Sequence, residues 1–202
     1  MRFFVKLVLF CFIFPREISL AWEIVMENHY EKALFAGGCF WCMQPAFDNL
    51  RGVIETKVGY TGGHKENPTY EEVCRGTTGH AEAILVIFDP KLISYEELVE
   101  VFFRNIDPTQ ENGQFADRGS QYRTEIFYFN EAQKLVAEKV KEKVKSLGYF
   151  NKPIVTKITP ASAFYEAEEY HQKYYLKNPL HYQIYKEGSG RGPFLRKMWG
   201  GK

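Results

Sequence analysis

The stretch KALFAGGCFWCMQPAFDNLRG, Lys32–Gly52, decides the fold. It opens as an apolar run broken by Gly37 and Gly38, the pattern of a buried strand ending in a tight turn. From Cys42 it reads as a short helix closed by Gly52. Cys39 stands at the junction. A thiol placed there meets unpaired backbone N–H groups and the positive end of the helix dipole, both of which favour thiolate. Cys42 follows within one helical turn, close enough for a disulfide. The pair admits three readings at this point: a redox centre, half a metal site, or two buried thiols acting as small hydrophobes.

Working outward, strand and helix patterns alternate. Strands are predicted over 53–63, 81–90, 123–129 and 154–160, and helices over 94–106, 130–149 and 162–178. Ser94 followed by Glu97 is a capping-box pattern. In the helix over 130–149, Ala132, Leu135, Val136, Val140, Val144 and Leu147 form one apolar face, and Gly148 ends it. Residues 64–80 are rich in turn formers, and 107–122 form a long polar loop of the kind that carries function. The order is roughly βαββαβαβα with one direct strand–strand step. It predicts an α+β single domain, a two-layer sandwich with a split βαβ, ferredoxin-like core sheet. Helices should cover one face, and the first strand should deliver the Gly-Gly-Cys turn.

Composition narrows the class. The 202 residues are 45% hydrophobic, with 13 Tyr and 17 Phe, enough for a packed core and too apolar for a disordered chain. The 26 basic and 25 acidic residues are interleaved and sum to a net charge of +1, which leaves no electrostatic footprint for nucleic acid. Of the cysteines Cys11, Cys39, Cys42 and Cys74, only three fall in the probable domain, a poor disulfide framework and a better set of working thiols. No second CxxC exists, and His64, His80, His171 and His181 offer no close pair, so no metal site is expected.

The N-terminal residues 1–25 have a basic start, an apolar run from Leu7 to Phe14, and Ser19 and Ala21 spaced like a cleavage site. That is a signal-peptide layout, too short to span a membrane and interrupted by Arg16 and Glu17. The rival is a misplaced start, because Met26 directly precedes the first strand and the codons for Trp22 and Glu23 form a purine run. Export follows from the first reading and a cytoplasmic protein from the second. The catalytic domain is placed at 26–178, followed by an irregular tail over 179–202.

The phrases GCFWC, VGYTGG, NPTYEEVCRGTTGHAEAILVIFDP, DRGSQYRT and AEEYHQKYY occur in one order from about Lys32 to Asn178. Together they resemble peptide methionine sulfoxide reductase of the A type, in a GCFWC variant. The resemblance implies a nucleophile at Cys39 that attacks the sulfoxide sulfur. It implies an acid at Glu82, where the local sequence alone suggests only a solvated carboxylate at a strand start. It implies hydroxyl donors to the sulfoxide oxygen at Tyr70 and Tyr122, otherwise readable as core tyrosines. Asp117 would help orient substrate or water, otherwise a turn cap, and Phe40 and Trp41 would seat the ε-methyl group. His80 and His171 are expected to be structural hydrogen-bonding residues. Thr124 stands where the family often has Ser.

The implied activity is reduction of methionine-S-sulfoxide, free or in oxidised proteins, through a sulfenic acid. Turnover then needs a resolving thiol. The C-terminal tail contains none, so Cys42 is the first candidate and Cys74 the alternative. Thioredoxin is the implied reductant, with dithiothreitol serving in vitro. No bound cofactor, no metal and a monomer are expected. A general thiol–disulfide oxidoreductase would also use CxxC at a helix start but would not need Glu82, Tyr70 and Tyr122. A peptide-binding module for exposed methionine would need no working thiol.

Overall fold

The computed structural model describes residues 30–200. The signal-like segment 1–25, Cys11 and the alternative start at Met26 lie outside the described residues. The elements run β1 (Glu31–Gly37), α1 (Phe40–Asp48), β2 (Val53–Thr61), α2 (Tyr70–Cys74), β3 (Ala81–Phe88) and α3 (Tyr95–Arg104). A small ribbon, β4 (Gly113–Gln114) and β5 (Asp117–Arg118), leads to a 3-10 turn over Ser120–Tyr122. Then come β6 (Thr124–Tyr128), α4 (Glu131–Ser146), β7 (Lys157–Pro160), β8 (Phe164–Glu166) and a second 3-10 turn over Glu169–His171. Three helices close the chain: α5 (Tyr174–Lys177), α6 (Pro179–Gly188) and α7 (Arg191–Trp199).

The fold is mixed α+β. Its six-stranded sheet has the order β7-β6-β1-β3-β2-β8. All neighbours are antiparallel except β6 and β7. Strand alternation sorts β1 between two faces. Ala33 and Phe35 join Ile84, Val86 and Ile126 in the main core, beneath Met43 and Phe47 of α1, Leu98, Val99, Phe102 and Phe103 of α3, and Val140 and Val144 of α4. Leu34 and Ala36 face the other way, with Ala81, Ala83 and Phe127. Phe35 anchors the main core, with ring centroids 5.4 Å from Phe47 and 5.2 Å from Phe102. Helices therefore cover one face, as the alternation of elements predicts.

Two expectations are corrected. Residues 162–178 are not one helix. The outer edge of β2 has unpaired backbone groups, and Phe164–Glu166 satisfies them as β8, pairing Thr61 with Phe164 and Gly59 with Glu166. The Gln172 side chain continues the edge, accepting from Val58 N at 3.0 Å and donating to Val58 O at 2.9 Å. Lys173, at φ 51°, then reverses the chain, which leaves room for only a short α5. The segment over 179–202 is likewise not an irregular tail. Pro179 opens α6 at a position where its missing N–H costs nothing, and α6 and α7 pack onto the rest of the domain. The turn-rich region also contains a helix, α2, started by a capping box between Thr69 and Glu72.

Candidate active site

The strand β1 ends at Gly37, and Gly38 turns the chain at φ 78°. A Cβ on Gly38 would lie 2.5 Å from Gln114 Cβ and 2.7 Å from Arg191 Nη2, so only glycine fits the turn. Cys39 is the N-cap residue of α1, which begins at Phe40, two residues ahead of the helix start expected from sequence. Its carbonyl accepts from Cys42 N at 3.0 Å, which folds the two thiols onto one turn. Both are buried, and both are free thiols.

Glu82 reaches this turn from β3. Ala81 and Ala83 face the minor cluster, so alternation puts Glu82 on the same side as Ile84, under the start of α1. Its Oε2 accepts from Phe40 N at 2.9 Å. The carboxyl is only 2% exposed. Burial pushes its pKa up to about 8, helped by Asp117 and Cys42 and opposed by the Phe40 N–H and Arg191. At neutral pH it is a protonated acid in an apolar setting.

The two thiols form one hydrogen-bonded unit. Cys42 is pulled below the ordinary thiol range by the hydrogen bond from Cys39 and by the charges of Arg191 and Lys186. Cys39 is pushed up by burial, by the hydrogen bond to Cys42, and by Cys42, Glu82 and Asp117. The pair loses its first proton readily and holds the second. The helix start alone, which suggests a thiolate on Cys39, is outweighed by these neighbours.

Tyr70 begins α2 and Tyr122 ends the first 3-10 turn. Burial pushes both hydroxyls up, with further contributions from Cys74 and Glu82 at Tyr70 and from Glu82 and Cys74 at Tyr122, so both remain O–H donors. Glu168 fixes α2 by accepting from Tyr70 N at 2.9 Å and from the Tyr60 hydroxyl at 2.8 Å. Cys74 ends α2 and is half-buried beside the Tyr70 and Tyr122 hydroxyls.

Trp41 is held on its edge and its face. Its Nε1–H donates to His171 Nδ1 at 3.0 Å, and its ring stacks on Tyr174 at 3.9 Å and 9°. His171 is kept neutral, its pKa pulled down to about 4 by burial, and its ring lies 5.1 Å from Phe40 and 4.3 Å from Tyr70. His80 serves as a loop clasp, accepting from Gly63 N and contacting the Lys65 carbonyl at 2.7 Å. Asp117, at the β5 start, accepts from the Tyr185 hydroxyl at 2.5 Å, and its carboxyl is pushed up by burial.

The structure thus gathers Cys39, Cys42, Phe40, Trp41, Glu82, Tyr70, Tyr122, Asp117 and Cys74 around the end of β1. It adds residues that sequence reading left in an irregular tail. Tyr182 packs on Cys39 and Cys42, with Tyr174, Tyr175 and Tyr185 alongside. Arg191 enters from α7. The signal for these was present as Pro179 at a helix start, with Tyr182 and Tyr185 on one face of the helix that follows. Among the described residues, no group of three or more His, Cys, Asp or Glu side chains is arranged to hold a metal ion.

Two thiols on one turn beside a protonated buried carboxyl define a thiol-dependent oxidoreductase. The family described as peptide methionine sulfoxide reductase matches residues 31–202. The chain is 55% identical over 177 residues to the peptide methionine sulfoxide reductase MsrA of Bacillus subtilis, covering 88% of this chain and 100% of that protein. Among solved structures it is similar to reduced Mxr1 from Saccharomyces cerevisiae, at 37% identity and a TM-score of 0.70 over 75% of this chain and 87% of the other. It is also similar to Mxr1 in complex with Trx2, at 28% identity and a TM-score of 0.51 over 72% of this chain and 85% of that one. The chain belongs to the peptide methionine sulfoxide reductase family.

Proposed function

We propose that the protein reduces methionine-S-sulfoxide to methionine, free and in oxidised proteins, and that thioredoxin restores it. The observation that carries this reading is the Glu82 carboxyl, protonated near neutral pH and seated under the turn that bears Cys39. A sulfoxide oxygen leaves its sulfur only when protonated, and Glu82 supplies that proton. The hydroxyls of Tyr70 and Tyr122 stabilise the charge that builds on oxygen. Phe40 and Trp41 seat the methyl group, and Asp117 orients the substrate. Gripping oxygen and methyl from different sides selects one epimer.

In the first step Cys39 gives its proton to the Cys42 thiolate, and its sulfur attacks the sulfoxide sulfur and takes over the oxygen that Glu82 protonates. Methionine leaves, reduced by two electrons, and Cys39 becomes a sulfenic acid. In the second step the Glu82 carboxylate takes the proton from Cys42, whose thiolate attacks the Cys39 sulfur. The S–S bond forms, the S–O bond breaks, and the oxygen leaves as water after protonation. Cys42 is favoured over Cys74 as the resolving thiol by its hydrogen bond with Cys39, whereas Cys74 lies with the two tyrosines. Thioredoxin as reductant is supported by the solved complex of the yeast relative with Trx2. The protein is read as a monomer.

The order β6-β1-β3-β2, with β3 between two strands joined by α1, supports the assignment of the core to the split βαβ, ferredoxin-like class. Sequencing the mature N-terminus separates an exported protein cleaved near Ala21 from a cytoplasmic one starting at Met26. The activity itself is tested with resolved epimers and dithiothreitol. Consumption of the S epimer alone is expected; loss of neither epimer would refute the assignment.

A further inference from the structure

Arg191 is 1% exposed, the largest fully buried side chain among the described residues. Among the described residues no carboxylate lies within ion-pairing distance of it. Its Nη2 donates to the Gly37 carbonyl at 2.8 Å, and its Nη1 donates to Asn105 O at 2.7 Å and to Met43 Sδ at 3.4 Å. The guanidinium lies over the Phe115 ring at 4.8 Å. The Asp117 and Glu82 carboxyls feel its charge without pairing with it, and a thiolate forming nearby is stabilised by the same charge. Gly37 is the last residue of β1, Met43 directly follows Cys42, and Gly38 packs on the same guanidinium. Arg191 therefore borders the two-thiol turn on two sides.

We propose that Arg191 is a positioning residue for the reaction: one buried guanidinium holds the start of the turn and supplies the positive charge against which the first thiolate of the Cys39–Cys42 pair forms. It rests on the function above only in taking these two cysteines as the working thiols. The groups facing that thiolate come from several elements. Cys39 donates to it, Lys186 from α6 supports it and Asp117 of β5 opposes it; Glu82 of β3 opposes it only once ionised, and the neutral Tyr182 and Tyr185 pack alongside. Lys186 is only half-buried near the end of α6, whereas Arg191 is closed off from solvent, so Arg191 is the cation that solvent screens less. The chain segment after Asn178 thereby contributes charge to the catalytic turn as well as packing.

The test is the pH profile of iodoacetamide alkylation of the reduced full chain, with the peptide carrying Cys39 and Cys42 separated by mass from that carrying Cys74. No substrate is involved, so the result stands whether or not the protein reduces methionine sulfoxide. Arg191→Gln keeps donors for the Gly37 carbonyl and removes the charge. Its alkylation midpoint should rise by about one pH unit. Arg191→Lys keeps the charge and should hold the wild-type midpoint. A wild-type midpoint in Arg191→Gln, or an equal rise in both variants, would overturn the proposal. If Arg191→Gln does not fold, Arg191→Lys decides alone: a retained midpoint supports the role and a raised one contradicts it.

Discussion

The Glu82 carboxyl and the Phe40 backbone N–H are 2.9 Å apart, which ties the middle of the sheet to the first turn of the helix that carries both thiols. That one bond spans 42 residues of sequence and sets an acid beside a nucleophile.

Glu82→Gln should slow methionine formation about 100-fold while leaving the Cys39–Cys42 pair alkylable. Wild-type activity should decline as pH rises through about 8, where the carboxyl loses its proton. The same group affects stability. Its raised value means that the folded chain holds the proton more tightly than the unfolded one. The stabilisation is full below the usual glutamate range and is lost as pH rises through about 8. Melting temperatures of Glu82→Gln relative to wild type should therefore climb between pH 5 and about 8 and level off above it.

His171 carries the opposite sign. Burial lowers its value to about 4, so the folded chain favours the neutral ring. Its contribution is full above the ordinary histidine value and is lost as pH falls through about 4. His171→Gln should flatten the acid limb of the stability profile. Loss of the Trp41 anchor should raise KM for the sulfoxide more than it lowers kcat.

Cys42→Ser should release one equivalent of methionine and then stall with thioredoxin, its Cys39 sulfenic acid open to dimedone. Cys74→Ser should recycle normally. If the stall belongs to Cys74→Ser instead, the resolving role lies with the thiol beside the tyrosines.

Tyr185→Phe removes the hydrogen bond to Asp117 and leaves that carboxyl higher still, because the Tyr185 hydroxyl, together with the charge of Arg191, opposes burial there. A charge-assisted bond of this kind is worth about 1.5–3 kcal/mol, so the melting temperature should fall by several degrees, and kcat/KM should fall with the loss of Asp117 positioning.

Phe35→Ala should destabilise the domain by about 3–5 kcal/mol, read by denaturant unfolding, because the ring is fully buried against Phe47 and Phe102.

Much of this site is legible in the Lys32–Gly52 stretch and its neighbours. An apolar run, two glycines and a helix start place Cys39 and Cys42 without any tertiary information. The register that aims Glu82 at Phe40 follows from alternation along β3 once the strand is recognised. What stays hidden depends on contacts distant in sequence. The aromatic spacing over 162–178 imitates a helix, yet the unpaired edge of β2 captures Phe164–Glu166 and Gln172. The segment after Asn178 is polar and rich in glycine near its middle; Pro179 and the Tyr182–Tyr185 spacing signal a helix there, but nothing local reveals that the two tyrosines pack on the thiols or that Arg191 reaches the Gly37 carbonyl. The preference of Cys39 for its proton is another nonlocal result, set first by burial and then by Cys42, Glu82 and Asp117 against the helix start.

The most direct test of the account is a single turnover of the reduced protein with one equivalent of methionine-S-sulfoxide, with the cysteines mapped afterwards. One equivalent of methionine, two thiols lost and a disulfide between Cys39 and Cys42 are predicted. Unreacted sulfoxide, or methionine formed with both of these thiols still free, would contradict it.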